Sequence, residues 1–169
     1  MHSDAFLITL RAMTISPDRH FLFAHPAHFI ALGFGTGLSP KAPGTVGTLV
    51  AFPLYFLLAD SLLFWLWVGV FMAVGVWACG VAGRALGEHD HGGLVWDEVA
   101  AFLCVLPFAP ETVWGYALAF ALFRLFDIWK PFPIGWLDAR VKGGLGVMLD
   151  DVLAAVFAIG VLFGVAQWL

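Results

Sequence analysis

Apolar residues in this chain come in long runs separated by short polar joints. Residues 62–83 carry no charge between Asp60 and Arg84, which predicts a helix able to cross the ~30 Å of hydrocarbon in a bilayer. The runs 45–59, 94–107, 112–128 and 152–169 predict further helices, most of them shorter than the ~20 residues a span needs. Pro131 closes the run before it, because the residue preceding a proline avoids helical backbone. Residues 21–32 are apolar but interrupted by His25, Pro26 and His28, a pattern that predicts an interfacial helix. The stretch 33–48, rich in Gly, Pro, Ser and Thr, reads as a long loop. Residues 142–149 read as a flexible loop that delivers Asp150 and Asp151 to the start of the last helix. Residues 1–20 are polar enough for a mobile arm and lack the features of a secretory signal. The expected fold is all-α, a polytopic membrane helical bundle with about five membrane-embedded helices, some short, and an N-terminal interfacial helix. The expected organisation is a single domain over 21–169.

Composition agrees with that pattern. The chain is 62% hydrophobic and 12% charged, with a mean hydropathy of +0.93, whereas soluble domains are about 25% charged. A net charge of -4 without a basic stripe excludes nucleic acid as a partner. Cys79 and Cys104 lie inside apolar runs without metal-ligand spacing and read as small buried hydrophobes. Trp65, Trp67, Trp77 and Trp168 read as lipid-facing or interfacial anchors.

Charge placement gives an orientation. If the runs alternate across the bilayer, Lys41, Arg84, Arg124, Lys130, Arg140 and Lys142 share one side, and the joints on the other side contain no Lys or Arg. Basic residues mark the cytoplasmic side. Every acid except Asp60 and Glu111 falls on that side too. A transporter tends to place ionisable groups near the midplane, often with symmetry between its halves. Polar groups gathered at one end, over apolar walls, fit an enzyme working on a lipid headgroup. A small transporter or a cation-binding subunit without hydrolytic activity is the alternative.

Three stretches carry candidate chemistry. In the first, His89-Asp90-His91-Gly92-Gly93 leads to Trp96-Asp97-Glu98 and then straight into an apolar run. Carboxylates at the mouth of a lipid-buried helix are costly to keep charged, and a hard cation with oxygen ligands would stabilise them. In the second, Arg124, Asp127 and Lys130 stand three apart on one ridge of a helix, as an ion-pair ladder or as a metal ligand flanked by phosphate contacts. In the third, Asp150 and Asp151 are adjacent and diverge by about 100° on a helix, so one faces the site of Asp127 and the other caps the helix. The loop 33–48, with Lys41, is either a hinge or a nest of backbone N–H groups for an anion. No cysteine lies in an electropositive loop, and the motifs of aspartate-nucleophile, histidine-nucleophile and CDP-alcohol phosphotransferase enzymes are absent. Oxygen-only metal chemistry remains, which suits Mg²⁺ and a phosphorylated substrate.

The segments Ser39-Pro40 with Pro43-Gly44-Thr45-Val46-Gly47-Thr48, His89-Asp90-His91-Gly92-Gly93 with Trp96-Asp97-Glu98, Arg124-x-x-Asp127-x-x-Lys130-Pro131, and Gly143-Gly144-x-Gly146-x-Met148-x-Asp150-Asp151 stand in register. Together, over roughly residues 25–165, they resemble the phosphatidylglycerophosphatase A family. Thr48 stands where the family often has Ser, and it keeps the hydroxyl. The resemblance implies Mg²⁺-dependent conversion of phosphatidylglycerophosphate to phosphatidylglycerol at the cytoplasmic face of the bacterial inner membrane, among membrane lipids and without an obligate protein partner. On these residues, one or two Mg²⁺ ions would be held by Glu98 with Asp97, Asp127 and one of Asp150 or Asp151. Phosphate would meet Lys130 and Arg124, with Lys41, Gly44, Thr45 and Thr48 completing the cradle. Asp90, His89 or His91 would serve as base or acid, with plain surface placement of the two histidines an equal alternative. Direct attack by water and an aspartyl-phosphate intermediate both stay open.

Overall fold

The structure is a computed structural model that describes residues 16–88 and 90–166. The described residues form helices and no strand. In chain order these are α1 (Arg19–Ala24), α2 (Pro26–Ala31), a 3-10 stretch (Gly33–Leu38), α3 (Pro43–Thr48), α4 (Ala51–Leu58) and α5 (Phe64–Leu86). They are followed by α6 (Trp96–Val105) with a 3-10 turn (Leu106–Phe108), α7 (Val113–Trp129), α8 (Ile134–Arg140) and α9 (Gly143–Ala166).

The bundle is built around α6. Val99, Ala100, Ala101, Phe102, Leu103 and Val105 are all fully buried, as expected of a helix that is apolar on every side. Helices α3, α4, α5, α7 and α9 pack around it. The 10 residues of α6 extend only about 15 Å, and Asp97 in its acidic first turn is buried. Trp96 fixes the entry to the helix: its Nε1 donates to the Phe71 carbonyl at 3.0 Å, and its ring meets Phe71 and Phe34 edge-on.

Helices α5 and α9, of 23 and 24 residues, are long and apolar enough to cross a membrane. Each turns small residues inward: Gly75, Ala78, Cys79 and Ala82 from α5, and Gly144, Ala154, Ala155 and Ala158 from α9. Between helices in lipid, close packing of small residues replaces the hydrophobic drive available in water. Trp65, Trp67 and Trp77 all stand exposed on α5, as lipid-facing residues would, whereas Trp168 lies outside the described residues. At 17 residues α7 falls just short of span length.

Several local expectations change. The interfacial segment 21–32 is two helices rather than one, because His25 breaks the backbone and caps α2 by accepting from Ala27 N at 3.1 Å, with Pro26 opening the next turn. His28 Nδ1 lies 3.0 Å from the Phe21 carbonyl, and its ring stacks on Phe21, which joins the two. The loop 33–48 contains α3, opened by Pro43. The loop 142–149 is helical, so Asp150 and Asp151 sit two turns inside α9 and neither caps it. The glycines there serve close approach: a Cβ at Gly144 would collide with the Val76 carbonyl and the Gly80 backbone on α5. Helix α8 was not anticipated. Of the arm at 1–20, residues 1–15 lie outside the described residues, and Arg19 already belongs to α1.

Gly144→Leu should therefore pry α9 from α5 at a cost of about 1–3 kcal/mol or more, the scale of overpacking. Gly160→Ala should be near neutral, since a Cβ there meets nothing within 4 Å. Thermal unfolding of the purified variants in detergent checks both, with a clearly lower melting temperature expected for Gly144→Leu alone.

Candidate active site

Asp97 and Glu98 occupy the first turn of α6, where the positive end of the helix dipole favours acids. Val95 opens the helix without a side-chain cap, and its N–H donates instead to the Ala31 carbonyl of α2 at 2.8 Å. The buried start of α6 is thus pinned to the N-terminal helices. Asp97 Oδ1 accepts from Glu98 N at 3.0 Å and stays 5% exposed.

From α7, Arg124 reaches across to this turn. Its Nη1 lies 2.6 Å from Glu98 Oε1, 2.6 Å from Asp127 Oδ2 and 3.5 Å from Thr48 Oγ1. Thr48 in turn donates to the Gly44 carbonyl at 2.8 Å, which ties α3 to the same group. Gly44 lets the Glu98 carboxylate come close, because a Cβ there would push that carboxylate aside. One guanidinium thus joins its own helix to two segments far from it in sequence.

Lys130 centres a second nest. Its Nζ lies 2.6 Å from Asp150 Oδ2, 3.1 Å from Asp138 Oδ2 and 3.9 Å from Asp90 Oδ2. The residue adopts the left-handed conformation (φ 45°, ψ 55°) as it closes α7, a position that usually favours Gly or Asn. That conformation costs about 1–2 kcal/mol in a residue with a Cβ, and the anchored ammonium offsets it. Burial opposes the charge on Lys130, but the hydrogen bond to Asp150, with Asp138 and Asp90 nearby, raises its pKa above the ordinary value. The ammonium stays protonated across the physiological range.

Asp151 is 2% exposed, and its Oδ2 is buried without a hydrogen-bond partner. The adjacent acids of α9 therefore differ: Asp150 pairs with Lys130, and Asp151 makes no ion pair among the described residues. The sequence-derived acids Asp97, Glu98, Asp127, Asp150 and Asp151 come together at one end of the bundle with Arg124, Lys130, Gly44 and Thr48.

Other sequence-derived candidates stand apart. Lys41 is exposed, and its carbonyl accepts from Ser39 Oγ at 2.9 Å. Thr45 is half-buried in the first turn of α3. Asp90 is exposed at the edge of the Lys130 nest. His91 is half-buried, and its Nδ1 accepts from Gly93 N at 3.0 Å. His89 lies outside the described residues. Asp138 was missed as a site residue. It enters through α8, and the only signal in the sequence was an acid placed after the Pro131–Pro133 turn.

The donor chemistry fits a hard cation. Glu98 Oε2, Asp150 Oδ1 and Asp151 Oδ2 are buried and have no hydrogen-bond partner, an arrangement that burial makes expensive unless a positive group meets them. All the available donors are oxygens, as Mg²⁺ prefers. Among the described residues no three His, Cys, Asp or Glu side chains already stand at ligation spacing, and Arg124 and Lys130 supply the positive charge that faces the acids.

A family model described as Phosphatidylglycerophosphatase A matches residues 29–166. The chain is 41% identical over 143 residues to a protein of that name from Escherichia coli (strain K12), covering 83% of each chain. It is 40% identical over 158 residues to one from Haemophilus influenzae, covering 91% of this chain and 97% of the relative. It is also 42% identical over 149 residues to a Bacteroides thetaiotaomicron protein provisionally named a phosphatidylinositol-3-phosphatase, covering 82% of this chain and 92% of the relative. No solved structure matches.

Arg124→Ala should destabilise the fold by about 3–5 kcal/mol, because it leaves Glu98 and Asp127 buried without their cation. Adding Glu98→Gln to that variant should recover part of the loss. Denaturant unfolding of the two single variants and the double variant measures this, and additive losses would mean that the pair is not coupled.

Proposed function

The chain belongs to the phosphatidylglycerophosphatase A family, and from that membership we propose that it hydrolyses the terminal phosphomonoester of phosphatidylglycerophosphate to give phosphatidylglycerol. The reaction uses Mg²⁺ and takes place at the cytoplasmic face of a bacterial inner membrane. The observation that carries the reading is the Arg124 guanidinium, in reach of Thr48, Glu98 and Asp127 at once at the polar end of an apolar bundle. About five membrane-embedded segments, α5 and α9 spanning and α3–α4, α6 and α7 shorter, keep that end at headgroup depth. The clustering of Lys and Arg at the same end supports the cytoplasmic orientation.

Arg124 and Lys130 receive the non-bridging oxygens of the phosphate, exchanging carboxylate partners for phosphate ones. Arg124 can do so with two parallel hydrogen bonds. Asp97, Glu98, Asp127 and Asp151 are the residues that would hold Mg²⁺, and Asp150 keeps Lys130 aimed into the site. When bound, Mg²⁺ neutralises phosphate charge and acidifies a water molecule. Thr48 holds the α3 turn on which Gly44 meets the Glu98 carboxylate, which keeps that acid in place beside Arg124. His91 Nδ1 is engaged as an acceptor, which leaves Nε2 to carry a proton to the departing alkoxide, with Asp90 beside Lys130 as the alternative donor. His89, its neighbour in sequence, remains a candidate for the same role.

Phosphate release by the purified protein tests this reading. Release from phosphatidylglycerophosphate should require Mg²⁺ and stop with chelator, with phosphatidylinositol 3-phosphate as the comparison substrate. Glu98→Gln and Asp127→Asn should each lower kcat by about 100-fold or more while the protein stays folded, the scale on which one preorganised electrostatic group acts. Lys130→Ala should raise KM or lower kcat by about tenfold without removing metal binding. Full turnover in both acid variants, or release that ignores chelator, would contradict the proposal and favour a transporter or passive cation-binding subunit.

A further inference from the structure

An apolar groove of about 480 Å³ runs between α4 and α7 on the outer face of the bundle, lined by Leu49, Phe52 and Phe56 on one side and Tyr116, Ala117 and Phe120 on the other. Two rows of side chains set its course. Thr48, Phe52 and Phe56 stand four apart along α3–α4, and Arg124, Phe120 and Tyr116 stand four apart along α7. Residues so spaced share one helix face. The rows meet at their head, where Arg124 Nη1 donates to Thr48 Oγ1 at 3.5 Å. Below that contact, the Phe52 ring lies 6.2 Å from Phe120 and 6.2 Å from Tyr116, and Phe56 lies 5.5 Å from Tyr116, so aromatic rings form the floor. Leu49 and Phe56 remain 49% and 59% exposed along its edge.

We propose that this groove seats one acyl chain of the phospholipid whose phosphate Arg124 receives; the inference rests on the reading of the site as a lipid phosphomonoester hydrolase. Charge and continuity both select that occupant. A molecule anchored by an anionic head at Arg124 meets an aromatic trough directly beneath the guanidinium, running away from the polar end. In a bilayer the chain is already in hydrocarbon, so the groove adds little transfer energy. It contributes registration, fixing where the headgroup phosphate stands relative to Arg124 and the acids. A second apolar groove, of about 460 Å³ between α5 and α9, is lined by residues such as Gly69, Met72, Val76 and Leu145 and contains neither row.

The test compares phosphate release from long-chain phosphatidylglycerophosphate in mixed micelles with release from its deacylated, water-soluble phosphomonoester. Ala117→Trp fills the α4–α7 groove without touching the charged cluster. It should lower kcat/KM for the lipid by about tenfold or more, leave the soluble substrate within about twofold, and keep the wild-type melting temperature. Gly69→Phe, at a position where a Cβ meets nothing within 4 Å, fills the other groove and should leave both substrates unchanged. The proposal is overturned if Ala117→Trp spares the lipid, if it lowers both substrates equally, or if Gly69→Phe alone depresses the lipid reaction. A wild type that hydrolyses neither substrate overturns the hydrolase reading itself. Hydrolysis of both substrates with no response to Ala117→Trp overturns only the groove.

Discussion

Arg124 Nη1 lies 2.6 Å from Glu98 Oε1 and 2.6 Å from Asp127 Oδ2, and these groups are nearly closed off from the surface. In so apolar a bundle a buried carboxylate is costly unless a cation lies close by, because the surroundings cannot replace water. The arrangement constrains much else. It requires the start of α6 to face the last turns of α7, requires α3 to bring a glycine against Glu98, and requires α9 to arrive with an acid still to be satisfied. Lys130 repeats the logic nearly two turns further along, using Asp150, Asp138 and Asp90.

The apolar part of the molecule serves this polar end. A largely buried α6 acts as the axis, with Asp97 buried and Glu98 nearly so in its first turn. Small residues on α5 and α9 let these two long helices approach closely, and the collision that a Cβ at Gly144 would cause shows how little slack remains. That packing holds Asp150 and Asp151 on a helix whose register is fixed by its contacts with α5. A flexible loop, as the glycines alone implied, would have left the two acids free to drift.

Much of this was legible in the residues. The long charge-free run at 62–83 became α5, Pro131 closed α7 as its backbone chemistry requires, and the ridge Arg124, Asp127, Lys130 is an ion-pairing surface. Motif register pointed to the family that the comparisons then gave. What stayed hidden has physical causes. Gly and Pro have low helix propensity, so 43–48 and 143–149 read as loops, whereas packing against Val95, Glu98, Val76 and Gly80 makes helix the better choice. Helix α8 is short and lies between two apparent joints, so its Asp138 was not recognised as a partner of Lys130. The division of labour between Asp150 and Asp151 could not be read from adjacency, since it depends on what each meets across the bundle.

The proposed hydrolysis asks acids from separate helices to share one site for a hard cation. Binding of Mn²⁺, a paramagnetic ion that accepts the same oxygen ligands as Mg²⁺, tests it directly through the loss of free-ion signal in electron paramagnetic resonance. Titration of the purified protein should reveal tight uptake that disappears in Glu98→Gln and equally in Asp151→Asn, although these residues belong to α6 and α9. Uptake that survives either substitution unchanged would mean that the two helices do not serve a common ion, and the account would fail.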